Sequence, residues 1–414
     1  MGRRVLFTLV SAALLAGLAA QPGAAVNVPQ AVVVSSNPAD WTPHVLDGKV
    51  AAIVQVGNRT VAGGQFTQVA SAAAPTTAIA RSNIFAFDAS TGAIDTAFAP
   101  VLDGEVESLA VAPDGLHVFA GGKFTRINGV AQKSLVKLRL TDGARITAFK
   151  GKTNARVKDM AVSGGRLYIG GTFATVNGRR RVRLAAVNAT TGAVGAMALH
   201  ADGAVRDLAV NPGGTTLYLA GAFTSVAGAV RYNFASVSIA SRSLTAWNPS
   251  IHASGWGVAL SPDGATAYLT TADGNESICG AAHESVIAMP ASGSGTPPVL
   301  WHNGGAPGCP FNSGDINAVE ATASAVYIGG HLTNLCTVRN SSYTVRCPGA
   351  LTVRTHVAAL DPATGVPLSW NPGAGGTRGV IVAEALPAGL AVGGDFQVAG
   401  GTTHSGLALF PGTP

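Results

Sequence analysis

Residues able to do chemistry recur at one place in a repeating chain. Glu107, Lys158, Arg206, Trp256 and Asn317 follow one another about 50 to 60 residues apart. Ala51 and Gly379 fill the equivalent slots at the two ends, and the slot that follows holds Asp159 and Asp207 in two repeats. A carboxylate, two cations, an amide and an indole gathered at one mouth suit binding. The indole stacks on the apolar face of a ring such as a sugar, while its neighbours bond to hydroxyls. Glycoside hydrolysis would want convergent carboxyl groups. Here Lys158 and Arg206 are placed to neutralise Glu107, Asp159 and Asp207. The plainer alternative is a wet channel of mutually satisfied charges.

Other catalytic signatures are missing. His283-Glu284 begins like a zinc-protease helix, but Ile287 stands where the second histidine is needed. No Gly-x-Ser-x-Gly elbow or phosphate loop occurs. Asp273, Asn275 and Glu276 lack the rest of a calcium loop. His283, His302 and His331 read as polar loop residues near the cysteines. No cofactor or metal is expected, and the leading expectation is a non-catalytic binding or surface-interaction module. An extracellular enzyme acting on carbohydrate or a small molecule at the channel mouth is the alternative, and a purely structural wall component is a third reading.

Charge is unevenly spread. The stretch 122–183 holds 15 basic and two acidic residues in a chain of net charge +6. Arg179, Arg180, Arg181 and Arg183 crown it, so an anionic partner such as a wall polymer or acidic glycan is expected there. A merely solvated basic face is the alternative. Few aromatics interleave with the charges, which argues against nucleic acid.

The first residues read as an export signal: Arg3 and Arg4, an apolar stretch Val5–Ala20, then small residues. Residues 1–25 are therefore assigned as a signal peptide and 26–414 as one domain. No second apolar run suggests a membrane span. The expected protein is extracellular and monomeric. Its four cysteines then meet oxidising conditions, and the expected disulfides are Cys279–Cys309 and Cys336–Cys347.

What must position the mouth residues is a repeat. Gly-Gly-x-Phe occurs at 63–66, 121–124, 170–173 and 393–396, with Ala-Gly-Ala-Phe at 220–223 and Gly-Gly-His-Leu at 329–332. Tyr268-Leu269-Thr270 fills the fifth place. Each copy carries an apolar run, a turn such as Pro113-Asp114-Gly115, the motif strand, and a third run such as Leu184-Ala185-Ala186-Val187. A fourth short strand carries an aromatic residue. Trp41, Trp247, Trp301 and Trp370 hold that position, filled elsewhere by Phe98 and Phe149, and are expected to pack blade on blade. Charged residues are only 12% and glycines number 53, which suits short strands and tight turns. The reading is an all-β, seven-bladed β-propeller of four-stranded antiparallel blades. The last repeat stops at Leu407–Phe410, and the mature chain begins with a segment like a fourth strand. Residues near 31–36 are expected to pair there and close the ring.

The phrase Gly-Gly-x-Phe-Thr-x-Val/Ile-x-Gly, at 121–129 and (with Ala174) at 170–178, resembles the delta-60 repeat of secreted bacterial propellers. Fungal cell-polarity surface proteins are similar in this phrase, and kelch propellers more distantly. The resemblance covers nearly all of the mature chain. It implies an extracellular propeller and no agreed activity.

Overall fold

The computed structural model describes residues 30–272, 285–304, 315–339, 347, 349–377 and 379–412. The expected signal peptide, the Cys279–Cys309 pair, Asp273, Asn275, Glu276, His283 and Glu284 lie outside them. Every regular element among the described residues is a β-strand, and no helix there is long and apolar enough to cross a membrane.

Seven antiparallel sheets recur in chain order. Their inner strands are Lys49–Val56, Val106–Val111, Val157–Ser163, Ala204–Val210, Gly255–Leu260, Ile316–Ala321 and Val380–Leu386. Each hairpins into a middle strand that carries the glycine motif, such as His117–Gly122, and then an outer strand, such as Leu135–Arg139. Turn chemistry makes the hairpins. Gly164 and Gly165 both sit at positive φ in the two-residue loop that joins Ser163 to Arg166. That backbone suits the right-handed strand twist and favours glycine. The fifth sheet is built on Thr266–Thr271, as the Tyr-Leu-Thr alignment expects.

The fourth strand is weaker than expected. Only Ser243–Leu244 and Trp301–Gly304 form ladders there. In four other sheets it shrinks to a single bridge, such as Phe87 with Ile94. Residues 31–36 form no ladder strand either. Ser35 N–H donates to Pro411 O at 2.9 Å and Ala39 N–H to Leu409 O at 2.7 Å, so irregular backbone covers the last outer strand.

Middle strands lose the period-two pattern because both faces are covered: Val118 to Gly122 are all buried. Seven apolar clusters form, each between two sheets. One joins Ala52 and Val61 of the first sheet to Val106 and Val118 of the second. Another joins Leu386, Ala391 and Leu409 of the last sheet to Val50, Ile53 and Ala62 of the first.

The two motif glycines do different jobs. A Cβ on Gly63, Gly121 or Gly170 would lie 2.6–2.7 Å from Cγ1 of Val106, Val157 or Val205, the valine just before the bulge of the next inner strand. Gly393 meets Val50 of the first sheet in the same way, at 2.6 Å. These glycines let neighbouring sheets close on each other. The second glycine of each pair lies against the backbone of its own inner strand, as Gly122 does against Glu105 O. Where the fourth repeat has Ala220 instead of glycine, the next inner strand opens with Gly255 instead of valine. The lost space on one side is returned on the other.

Candidate functional site

All seven inner strands carry the same irregularity. The register slips by one residue between Val50 and Ala52, Val106 and Ser108, Val157 and Asp159, Val205 and Asp207, Gly255 and Gly257, Ile316 and Ala318, and Val380 and Val382. The bulged residues are Ala51, Glu107, Lys158, Arg206, Trp256, Asn317 and Ile381. A bulge leaves one residue outside the ladder and re-aims its side chain. Ile381, and not Gly379, is therefore the seventh member. The sequence alignment misplaced it by two residues, because Gly379 takes a left-handed φ of 67° in the approach to the strand. All seven line one open cavity of about 1030 Å³.

The cavity changes character along its length. At the mouth, Lys49 and Lys123 hold Glu105 at 2.8 and 2.6 Å. Arg156 grips Glu107 through Nε at 2.8 Å and Nη2 at 2.6 Å, and Lys158 reaches it at 3.3 Å. Both carboxylates are nearly covered, with side chains 6% and 7% exposed. Burial lowers the Lys158 pKa from its usual range, and Glu107 only partly offsets that. Arg206 lies over the Trp256 ring at 4.4 Å and donates to Gly255 O at 3.1 Å. One face of the indole is thus held by a cation. Asp315, Asn317 and His331 complete this end. At the other end the lining is apolar: Val111, Val162, Val210, Leu260 and Leu386.

Below the mouth sits a waist of carboxyl groups. Inner strands have no ladder partner on their channel side, so their free N–H groups need acceptors. Asp159 accepts from Leu208 N–H of the next sheet and from the Ser108 hydroxyl, each at 2.9 Å. Asp207 accepts from Val258 N–H at 2.7 Å. These two were singled out in the sequence, and their role is to bridge sheets. Glu320 and Glu384, three residues past the bulges of the sixth and seventh sheets, were not. Glu320 accepts from Ala385 N–H. Burial, with the Asp207 charge and a bond to Asp207, raises the Asp159 pKa well above the usual carboxylate range, and burial raises Asp207 too. Burial and then the Glu384 charge do the same to Glu320, while burial and the Asp207 charge push Glu384 up to about 8. The available signal was a carboxyl residue three positions past the bulge slot within an inner strand.

The basic cluster splits in two. Arg179 and Arg180 form an exposed hairpin edge. Arg181 instead donates to Arg180 O at 2.8 Å and to Gly195 O at 2.9 Å, and Arg183 donates to Ala201 O at 2.8 Å. The same clamp recurs. Arg81, Arg231 and Arg354 each bond the preceding carbonyl and one fourteen residues on. Two residues after each arginine, Asn83, Arg183, Asn233 and His356 sit at φ of 63–69° and reach a carbonyl of the following connection. Arg-x-Asn/Arg/His was a repeat feature readable in the sequence and passed over.

Of the packing tryptophans, Trp247, Trp301 and Trp370 are buried and donate to Pro290 O, Pro362 O and Ser35 O at 2.8–2.9 Å. Trp41 differs: it is 40% exposed, with a longer 3.4 Å contact to Ala89 O. Cys336 and Cys347 are bonded, with Cα atoms 5.5 Å apart. His302 is no loop residue. It is buried, bonded to the Ser285 hydroxyl at 2.9 Å, and burial lowers its pKa to about 4.

No protein-family model matches the chain, and no curated protein matches its sequence. Among solved structures it is similar to the WD40 repeats of RRP9, with a TM-score of 0.56 and 14% identity over 90% of this chain and 98% of that one. At that identity the likeness concerns architecture alone.

Proposed function

We infer that the chain, whose fold is that of a WD40-like β-propeller, serves as an interaction module. We propose that its seven sheets are the blades of a closed, exported propeller of the delta-60 kind, and that it is a non-catalytic binding module at the cell surface or wall. The shared core between the last and first sheets supports closure, and the Cys336–Cys347 bond is compatible with export. Its ligand is a glycan or anionic polymer whose end enters the charged mouth.

One observation carries this reading. The bulge that recurs in every inner strand delivers Glu107, Lys158, Arg206, Trp256 and Asn317 to one opening. Basic groups outnumber acidic ones there: Lys49, Lys123, Arg156, Lys158 and Arg206 against Glu105, Glu107 and Asp315. An acidic substituent meets surplus cations, and a ring meets the indole. Glycan arrays and wall fractions probed with the mature chain test it. Trp256→Ala should lose at least tenfold in affinity with its melting temperature unchanged, since the indole lies at an opening and outside the sheet-to-sheet cores. A large loss of stability with binding retained would refute the site. Release of sugar from the bound glycan would favour hydrolysis instead.

A further inference from the structure

The basic hairpin and the channel mouth meet at one end of the third sheet. Val157 of the inner strand pairs with Gly171 of the middle strand, and the hairpin of Thr175–Val176 with Arg179–Arg180 leaves the sheet at that same end. The segment that leads into the inner strand runs beside it. Lys152 N–H donates to Asn177 Oδ1 and Asn177 N–H to Lys152 O, each at 2.9 Å, and Thr153 bridges Val176. Thr172 N–H donates to Arg156 O at 3.1 Å. In this register Lys152, Asn154, Thr175 and Arg180 stand on one face, away from the buried Thr153 and Val176. At most about 14 Å of chain separates Lys152 from Arg156, which lines the cavity. Two strand spacings, about 10 Å, separate that segment from Arg179 and Arg180.

Comparison with the adjoining repeats sets this hairpin apart. In the second repeat Asp103 caps the hairpin, accepting from Thr125 and Arg126 N–H at 2.6 and 2.8 Å. In the fourth Asp202 does so, accepting from Thr224 and Ser225 N–H at 2.8 and 2.9 Å. In the third, Asn154 accepts from Ala174 and Thr175 N–H at 2.8 and 2.9 Å, the same two bonds without the charge. The rim positions of Lys152, Arg179 and Arg180 hold Val101, Val130 and Ala131 in the second repeat, and His200, Ala229 and Val230 in the fourth. Lys152, Arg179 and Arg180 are exposed and make no ion pair among the described residues. The third repeat thus gains three free cations and loses its one local acid, and the fold requires neither change.

We propose that mouth and hairpin are the two ends of one binding track, whose ligand is a linear polymer of sugar or polyol units with an anionic oxygen group on each of several successive units. This rests on the mouth reading and extends it outward. One end of the polymer sits against Trp256 and Arg206, and its body passes Arg156 to reach Lys152, Arg179 and Arg180. Arg156 and Lys158 both hold Glu107, so the mouth end of the track carries more positive charge than that carboxylate cancels. The neutral amide of Asn154 lets a polyanion cross the segment without repulsion. A nucleic-acid strand is the competing polyanion. The exposed residues of the track, Lys152, Asn154, Arg179 and Arg180, include no aromatic ring on which successive bases could stack. Once a chain is long enough to reach both ends, its second contact becomes intramolecular, and affinity climbs with length.

Calorimetry on the mature chain tests this with trigalacturonate and decagalacturonate, beside a glycerol-phosphate decamer and a thymidine decanucleotide. The expected result is decagalacturonate binding at least about tenfold tighter than trigalacturonate. That gain should shrink as salt rises from about 50 mM to about 500 mM. Combining Lys152→Ser, Arg179→Ser and Arg180→Ser should bring the ratio of the two affinities close to one. Asn154→Asp keeps the cap bonds and installs the carboxylate of the adjoining repeats. It should cut the ratio at low salt, and it serves as the test if the triple variant does not fold. Trp256→Ala should weaken both oligomers. No gain with length overturns the track, as does a gain that survives the charge variants. Trigalacturonate binding that needs Trp256, with no further gain from the decamer, refutes the track and leaves the mouth reading standing. Decamer binding that needs the hairpin but ignores Trp256→Ala refutes the mouth reading and the track with it. A length-dependent gain for glycerol phosphate alone keeps the track and assigns the anionic group as a phosphodiester. Tighter binding of the thymidine decanucleotide than of either polymer would overturn the proposed ligand in favour of nucleic acid.

Discussion

At the residue scale, identical side chains a few positions apart do unrelated work, and backbone context decides which. Arg179 and Arg180 project from a hairpin edge, whereas Arg181 ties two carbonyls together and Arg183 a third. Replacing Arg179 and Arg180 with Ser should leave the melting temperature unchanged and weaken salt-sensitive adsorption to anionic wall polymer, measured by co-sedimentation. Arg181→Ser should cost about 1 kcal/mol in denaturant unfolding, because the partly buried Gly195 carbonyl loses its donor while the exposed Arg180 carbonyl turns to water. Equal behaviour of the two variants would dissolve the distinction. The mouth residues Glu107, Lys158, Arg206, Trp256 and Asn317 were legible in the sequence because a repeat makes any chemically odd residue conspicuous against its counterparts. Glu320 and Glu384 were not. Their place in the cavity comes from how successive sheets pack on one another, and their lack of cationic neighbours depends on where other strands place Lys158 and Arg206. No spacing along the chain encodes that.

At the element scale, the glycine motif is a packing joint between sheets. Gly121→Ala puts a methyl group 2.7 Å from Val157 Cγ1. It should destabilise by roughly 1–3 kcal/mol through overpacking. Val157→Ala on the other side should restore part of the loss, as the natural pairing of Ala220 with Gly255 anticipates. A double-mutant cycle in urea measures the coupling, and strict additivity would refute the joint. The motif, the hairpin turns and the three-strand order were readable from period and turn residues. The fourth strands were overestimated. An aromatic residue before a proline marks the place where the chain covers a neighbouring core, and a tryptophan can do that with one side chain and one hydrogen bond. Trp247, for example, donates to Pro290 O. A ladder is not required. The same reason explains why residues near 31–36 cover the last sheet without forming a strand, with Trp370 donating to Ser35 O.

At the scale of the whole molecule, the N-terminal segment and the channel carboxyls each act across several sheets at once. Val34 N–H donates to the Tyr327 hydroxyl, Ser35 and Ala39 bond to the last strand, and Val45 N–H bonds to Ser405 O. Deleting residues 30–45 should therefore lower a single cooperative unfolding transition by about 10 °C or more, read by calorimetry. A transition like the parent's would show that the segment is ornamental. Acidity has a definite sign. Glu384 is raised to about 8, with Glu320 and Asp159 raised as well, so the folded state holds protons that the unfolded chain has released. Stability should rise as pH falls from 8 to 6.5, by roughly 5 °C in melting temperature. Below 6.5 the buried His302, lowered to about 4, opposes any further gain, because the unfolded chain takes up its proton first. Glu384→Gln should raise the melting temperature at pH 8 and remove Glu384's share of the slope, leaving that of Glu320 and Asp159. Finally, the bulged residues at Ala51, Glu107, Lys158, Arg206, Trp256, Asn317 and Ile381 lie outside the ladders that hold the sheets together. Exchanging Ala51, Asn317 or Ile381 therefore breaks no ladder bond, whereas Glu107 with Lys158 and Arg206 with Trp256 are coupled and must change in pairs. The seven sheets are a scaffold on which new specificities could be selected, with some letters of the recognition code written jointly by neighbouring sheets.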